Sequence, residues 1–408
     1  MDVDAAPRSL GFDPDDPGFI ADPYPAYERL RGRGRVLYDE ATDHWLVSSF
    51  ADVNALLRDR RFGRTYLHTS THEEMGHPAP PQGLDPFWHL INHGILDMEP
   101  PDHTRVRRLV SKAFTPRMVE SMREPVQRLT DGLVDDVAGA GEFDLLPTVA
   151  EPLPVSVIAE LLGVPGSDRH LLRPWSADIC RMYELHPTGE DARVAVAASA
   201  AFSDYLRALS RKRRADPTGD LISELALVVD EGERLTEDEL IGTCVLLLNA
   251  GHEATVNVTG NGWWTLFRHP DALARLRADP SLLPTAIEEL MRFDTPLQLF
   301  ERWVLENAEI GDVRVPRGAE LGLVFGSANR DPEMFDEPDE LRLDRDPNPH
   351  VTFGAGIHFC LGAPLARLEL QTSFGTVLRR MPALELVEEP LWKPGYIIRG
   401  LESLRVRS

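Results

Sequence analysis

The chain has 408 residues, 42% of them apolar, a formal net charge of −23 and three cysteines. Such a charge argues against a nucleic-acid surface, and no run approaches the ~18 apolar residues a membrane span needs. Cys180, Cys244 and Cys360 lie far apart with no repeated spacing, which argues against a disulfide framework and for a reducing compartment.

The start, MDVDAAPRSLGFDPDDPGF, is acidic and proline-rich, with neither the basic start nor the apolar core of a signal peptide. The expected protein is soluble and cytoplasmic, and residues 1–408 read as one domain without internal repeats. In chain order, DPYPAYERLRGRG opens with helix-start signals and ends in glycines, so it predicts a helix. VLYDEATDHWLVSSF alternates around a turn-like centre and predicts a hairpin. Residues 62–95 are rich in Gly, Pro and His and read as one long loop, a lid or a disordered segment. From about 100 to 215 the pattern is helical with short breaks. Within it, PPDHTRVRRLVSKAFTPR puts His103 and Arg107 on one helix face. Arg105, Arg108 and Lys112 point elsewhere on the same helix, as a solvated face or as a dock for an acidic partner.

The longest expected helix is LTEDELIGTCVLLLNAGHEATVNVTGNGWWTLFRHP, residues 235–270. Thr236 and Glu239 form a capping box, and some 30 residues span roughly 45 Å. The stretch from Val245 to Leu248 calls for burial, yet Asn249, Gly251, His252, Glu253 and Thr255 interrupt it. A local conflict of this kind marks function. Further on, EELMR sets Glu289 and Arg292 on one helix face, by itself a plain ion pair.

The stretch FGAGIHFCLG, residues 353–362, surrounds Cys360 with Gly354, Gly356 and Gly362, with Phe353, Phe359 and His358 close by. The next segment is a strong helix with Pro364 in its first turn. Cys360 therefore sits at a helix N-terminus, where the dipole and free N–H groups favour a thiolate. The glycines let the backbone approach a flat partner. Such a shielded thiolate is the ligand type that holds heme iron in oxygen-activating enzymes. A structural cysteine and a zinc site using His350, His358 and Cys360 are the other readings, the zinc site lacking a clear fourth ligand.

This stretch matches Phe-Gly-x-Gly-x-His-x-Cys-x-Gly at every fixed position, and from about residue 12 onward the chain resembles the soluble bacterial branch of the cytochrome P-450 superfamily. The resemblance implies a mainly α fold with small β-sheets, holding heme b between the long central helix and the cysteine loop with its helix. It implies Cys360 as the iron ligand, Phe353 and Gly354 making room for the porphyrin, and His103, Arg107, Arg302 and His358 on the propionates. Glu289, Arg292 and Arg330 would lock the core behind the heme.

AGHEAT aligns with the family's oxygen-binding motif, Ala250 and Gly251 lining a groove and Glu253 matching the acid. Ala254 departs from the motif, because most members carry there a threonine that helps deliver protons. Thr255 is turned by about 100° and does not simply replace it. Some macrolide-hydroxylating members share this alanine, and a substrate hydroxyl helps organise their water. By family position the pocket draws on Phe87, Trp88, His252, Leu297, Leu299 and Ile397. The implied function is oxidation, foremost hydroxylation, of an apolar small molecule or natural product. Dioxygen and a ferredoxin-type donor, docked near Arg105, Arg108 and Lys112, would drive it. Oxidative coupling or rearrangement without oxygen insertion, and heme binding without turnover, are the rivals.

Overall fold

The computed structural model describes residues 7–408, so residues 1–6 at the acidic start lie outside the described part. Helix α1 (Tyr24–Arg33) ends at Gly34, as its sequence signals require. The hairpin follows: β1 (Val36–Asp39) pairs antiparallel with β2 (His44–Val47), Tyr38 opposite Trp45. Together with β3 (Phe62–Gly63), β4 (Leu299–Val304) and β5 (Glu320–Val324) they form a sheet in the order β1-β2-β5-β4-β3. β2 runs parallel to β5, and β4 runs antiparallel to it with Arg302 opposite Leu321.

Residues 62–95 are not one loop. They hold β3, a four-residue helix opened by a Thr71/Glu74 capping box, and α2 (Asp85–Asn92). Helices this short show too few turns for periodicity to register.

Most of the remaining chain is helical. The helices that build the site are α3 (Asp102–Ala113), α4 (Pro152–Leu162), α5 (Leu172–Cys180), α6 (Gly189–Ala215), α7 (Glu237–Arg268), α8 (Leu283–Phe293) and α9 (Ala363–Arg380). α7 opens on the expected capping box: Glu239 N–H donates to Thr236 Oγ1 at 3.2 Å, and Thr236 N–H donates to the Glu239 carboxylate at 2.8 Å. Its 32 residues span about 48 Å, long enough to serve two cores. Leu240 to Leu248 pack into a cluster with α3, α4 and α6. Val256 to Leu266 pack into another with α8 and α9, where Trp263 stacks on Phe374 at 5.0 Å. The polar middle, residues 249–255, falls between the two clusters. The conflict read in the sequence is thus a junction.

Behind this junction Glu289 and Arg292, both 0% exposed, pair through two contacts of 2.8 Å. The third partner is Arg345, whose Nε donates to both Glu289 oxygens at 3.1 Å. The expectation for Arg330 is therefore corrected. Arg330 donates to the Phe293 carbonyl at the C-terminus of α8 and pairs with Asp339. The excursion through residues 331–348 carries Arg345, not Arg330, back to Glu289. Among the described residues no helix is long and apolar enough to cross a membrane.

Candidate active site

The loop ahead of α9 presents Cys360. Cys360 N–H donates to the Phe353 carbonyl at 2.9 Å and Gly354 N–H to the Val351 carbonyl at 2.7 Å, folding the loop back on itself. Gly354 and Gly356 take φ values of +66° and +70°. A Cβ at Gly356 would also strike the Leu57 carbonyl oxygen, so this position accepts only glycine. At the start of α9 the amides of Gly362 and Ala363 donate to the Cys360 sulfur. Burial pushes the free thiol up, while the Gly362 amide, Arg107, the Ala363 amide and Arg367 oppose it. A bound cation would complete the shift to thiolate. Phe353 lies under the Arg367 guanidinium, 4.5 Å away, and Glu288 holds that guanidinium through two contacts of 2.7 Å. His350 and His358 face separate carboxylates, Glu288 and Glu99. They do not gather round Cys360, which removes the zinc reading.

A second group forms a cradle for an anion. His103 and His358 lie ring to ring at 4.4 Å, and the buried His103 Nε2 has no partner. Burial, His358 and Arg107 push His103 down to about 4, so its ring is neutral at pH 7. Arg302 is only 2% exposed. It donates to the neighbouring Glu301 carbonyl, rests on the Phe300 ring, and makes no ion pair among the described residues. Burial and nearby Arg64 push its guanidinium down to about 9. Arg107 reaches the Phe359 carbonyl at 2.8 Å. A buried guanidinium without a carboxylate is costly. Carboxylate groups of a ligand would satisfy Arg302 and His103 together.

The third element is a strip of α7. The helix is mostly covered, yet Ala250 and Ala254, one turn apart, are exposed. Gly251 beside them is half-buried. The apolar side chains of Ile357 and Phe359 on the cysteine loop are exposed as well. Thr255 is 6% exposed, one residue on from Ala254 and so turned by about 100° from this strip. Glu253 is half-buried, 3.6 Å from His252 Nδ1. A thiol backed by amides, an unmet demand for carboxylates and uncovered apolar strips together fit an iron porphyrin with propionates.

Residues 68–385 match the sequence profile of the cytochrome P-450 family. The chain is a cytochrome P-450. It is 40% identical to the cytochrome P-450 monooxygenase PikC of Streptomyces venezuelae, over 95% of this chain and 92% of that one. It is 37% identical to 6-deoxyerythronolide B hydroxylase of Saccharopolyspora erythraea, over 95% and 96%. The crystal structure of the cytochrome P-450 BioI in complex with a fatty-acyl-bearing acyl carrier protein superposes with a TM-score of 0.89 and 35% identity, covering 96% of this chain and 99% of that chain. The family binds heme b through a cysteine thiolate, and its members are oxidoreductases.

This P-450 does not present the expected basic patch. Arg105 is held by Glu239, Arg108 by Asp230, Glu231 and Glu233, and Lys112 by Asp230. The turn at residues 230–233 folds against the helix and, with Glu239, pairs all three of these cations with carboxylates. Of the pocket residues, Leu297, Leu299 and Ile397 share one cluster, whereas Phe87 and Trp88 pack elsewhere, edge to face at 5.1 Å on α2. His252 is 3% exposed.

Glu184, in the loop between α5 and α6, escaped the sequence reading because no periodic pattern marks it. Its carboxylate accepts the amides of Tyr396 at 2.8 Å, Ile397 at 3.1 Å and Ile398 at 3.2 Å. It thereby latches that loop to the segment carrying Ile397. Hydrogen bonds to a charged group contribute about 1.5–3 kcal/mol. Glu184→Ala is therefore expected to raise the opening equilibrium of the loop roughly 10- to 100-fold. Stopped-flow binding of phenylimidazole to the heme-loaded protein checks this. Entry and exit rates equal to those of the unmodified enzyme would remove the latch.

Proposed function

We propose that this P-450 is a monooxygenase that hydroxylates an apolar natural product, with electrons from a ferredoxin-type donor. The observation that carries the reading is the conjunction of Cys360, backed by two amides, with a buried Arg302 that makes no ion pair among the described residues and a buried His103 Nε2 without a partner. Heme b, held by Cys360 with its propionates on His103, Arg107, Arg302 and His358, would supply the dioxygen chemistry. The chain's own residues position and exclude. Ala250 and Ala254 offer an apolar strip over which a hydrocarbon skeleton can lie. Leu297 and Ile397 close one side, and the Glu184 latch shields the site from water. The similarity to 6-deoxyerythronolide B hydroxylase supports hydroxylation of a natural product. The reading is tested by screening candidate compounds for the low-to-high spin shift of the heme-loaded protein. Hits are then turned over under labelled dioxygen. A product lacking the label would move the enzyme to the coupling or rearrangement class.

Ala254 sharpens the substrate. With no hydroxyl at this position and Thr255 turned inward, a second group must order the proton-delivering water. We infer that the substrate supplies it, through a hydroxyl, carbonyl or amide beside the reacting carbon. An analogue without that group is expected to turn over with most electrons lost to peroxide. Ala254→Thr should then improve coupling for the analogue more than for the full substrate, toward the low end of the ~10²–10⁴-fold worth of a relay group. Equal coupling of both compounds in the unmodified enzyme would rule the inference out.

A further inference from the structure

We propose that His89, His93 and Asp238 form a divalent-cation site, best suited to Zn²⁺, that ties α2 to the N-terminal end of α7. One ligand atom from each lies within 4.8 Å of the other two. His89 and His93 are one turn apart, and their rings lie 4.3 Å from each other. His89 Nε2 is 3.3 Å from Asp238 Oδ2. In a tetrahedral zinc site with bonds near 2.0–2.1 Å, neighbouring ligand atoms are about 3.3 Å apart. This pair therefore already has the spacing of a shared ion.

The surroundings orient the ligands. His93 Nδ1 donates to the His89 carbonyl at 2.7 Å. A carbonyl only accepts, so the proton is on Nδ1 and the Nε2 lone pair is free, the arrangement usual in histidine–metal sites. Arg207 donates to Asp238 Oδ1 at 3.2 Å, leaving Oδ2 toward His89. Asp204 and Glu237 share that guanidinium and Arg211 also pairs with Glu237, so two guanidiniums face three carboxylates. A cavity of about 340 Å³ lined by Asp85, His89, Asp204, Arg207 and Asp238 adjoins the cluster and gives an ion access. Gly242 explains the close approach of the two helices: a Cβ there would lie 2.7 Å from the His93 carbonyl carbon and oxygen. Two imidazoles and a carboxylate suit Zn²⁺ among the available divalent ions. Water would complete the shell. Because α2 also carries Phe87 and Trp88, an ion here restrains the helix that bears two pocket candidates.

The test uses the heme-loaded full chain, stripped with chelator and titrated with ZnCl₂ in a calorimeter. One equivalent should bind. His89→Ala and His93→Ala should each weaken it by at least ~10-fold. His269→Ala, at a distant histidine, should not. Hydrogen exchange supplies a second readout: zinc should slow exchange across residues 85–93 in the unmodified protein and leave it unchanged in the His89→Ala/His93→Ala variant. His89 is exposed and His93 half-buried, so the variants should fold. The proposal is overturned by the absence of zinc binding, by binding that survives the double substitution, or by binding that leaves exchange over residues 85–93 unaltered.

Discussion

Replacing Cys360 by alanine should abolish the strongly red-shifted Soret band of the reduced carbon monoxide complex, and with it monooxygenase turnover. The band is the signature of thiolate ligation, and neither of the other two cysteines is placed to take over. Cys180 and Cys244 are buried elsewhere, and burial pushes both thiols up. The anion cradle does not depend on the sulfur. Heme should therefore still enter the Cys360→Ala protein, more weakly, and give a spectrum without thiolate character. Cys360→Ser keeps an oxygen that the amides of Gly362 and Ala363 can reach. It should recover heme retention but not the band. A Cys360→Ala protein that kept the red-shifted band would show that another group ligates the iron, and the assignment of the whole loop would fall.

The parts of this molecule legible in the sequence are those whose signals are local. The capping box of Thr236 and Glu239 announces α7, and the glycines around Cys360 announce a tight loop, which takes left-handed backbone at Gly354 and Gly356. His103 and Arg107 share a face because helical spacing alone requires it. What escaped depends on where distant segments return. Helical spacing shows that Arg108 and Lys112 face outward, but not that Asp230, Glu231 and Glu233 fold over them. Glu184 has no periodic neighbours, and its three amide donors lie over two hundred residues away. The short helix α2 was submerged in a stretch whose Pro and Gly content reads as loop.

Arg330 and Arg345 show the same limit, and the difference between them can be measured. Glu289→Ala is expected to destabilise the protein by about 3–5 kcal/mol, the usual cost of stripping one partner from a buried ion pair. The substitution leaves Arg292, 0% exposed, and Arg345, 6% exposed, without a counter-charge. It also frees the Asn348 amide and the Arg342 N–H, which donate to the same carboxylate at 3.1 and 3.0 Å. Should Glu289→Ala fail to fold, Glu289→Gln keeps the shape and one acceptor and should show the same ordering with a smaller loss. The partner is identified by a double-mutant cycle in guanidinium unfolding followed by circular dichroism. Residues in one ion-pair network couple by about 0.5–3 kcal/mol, whereas independent sites add to within about 0.5 kcal/mol. Glu289 and Arg345 share direct contacts, so their cycle should fall well inside the coupled range. Glu289 and Arg330 do not touch. Arg330 instead holds the Phe293 carbonyl and rests 3.7 Å from the Phe293 ring, so its substitution should be destabilising but additive with that of Glu289. Strong coupling to Arg330 and none to Arg345 would restore the assignment read from the sequence and contradict the observed course of residues 331–348.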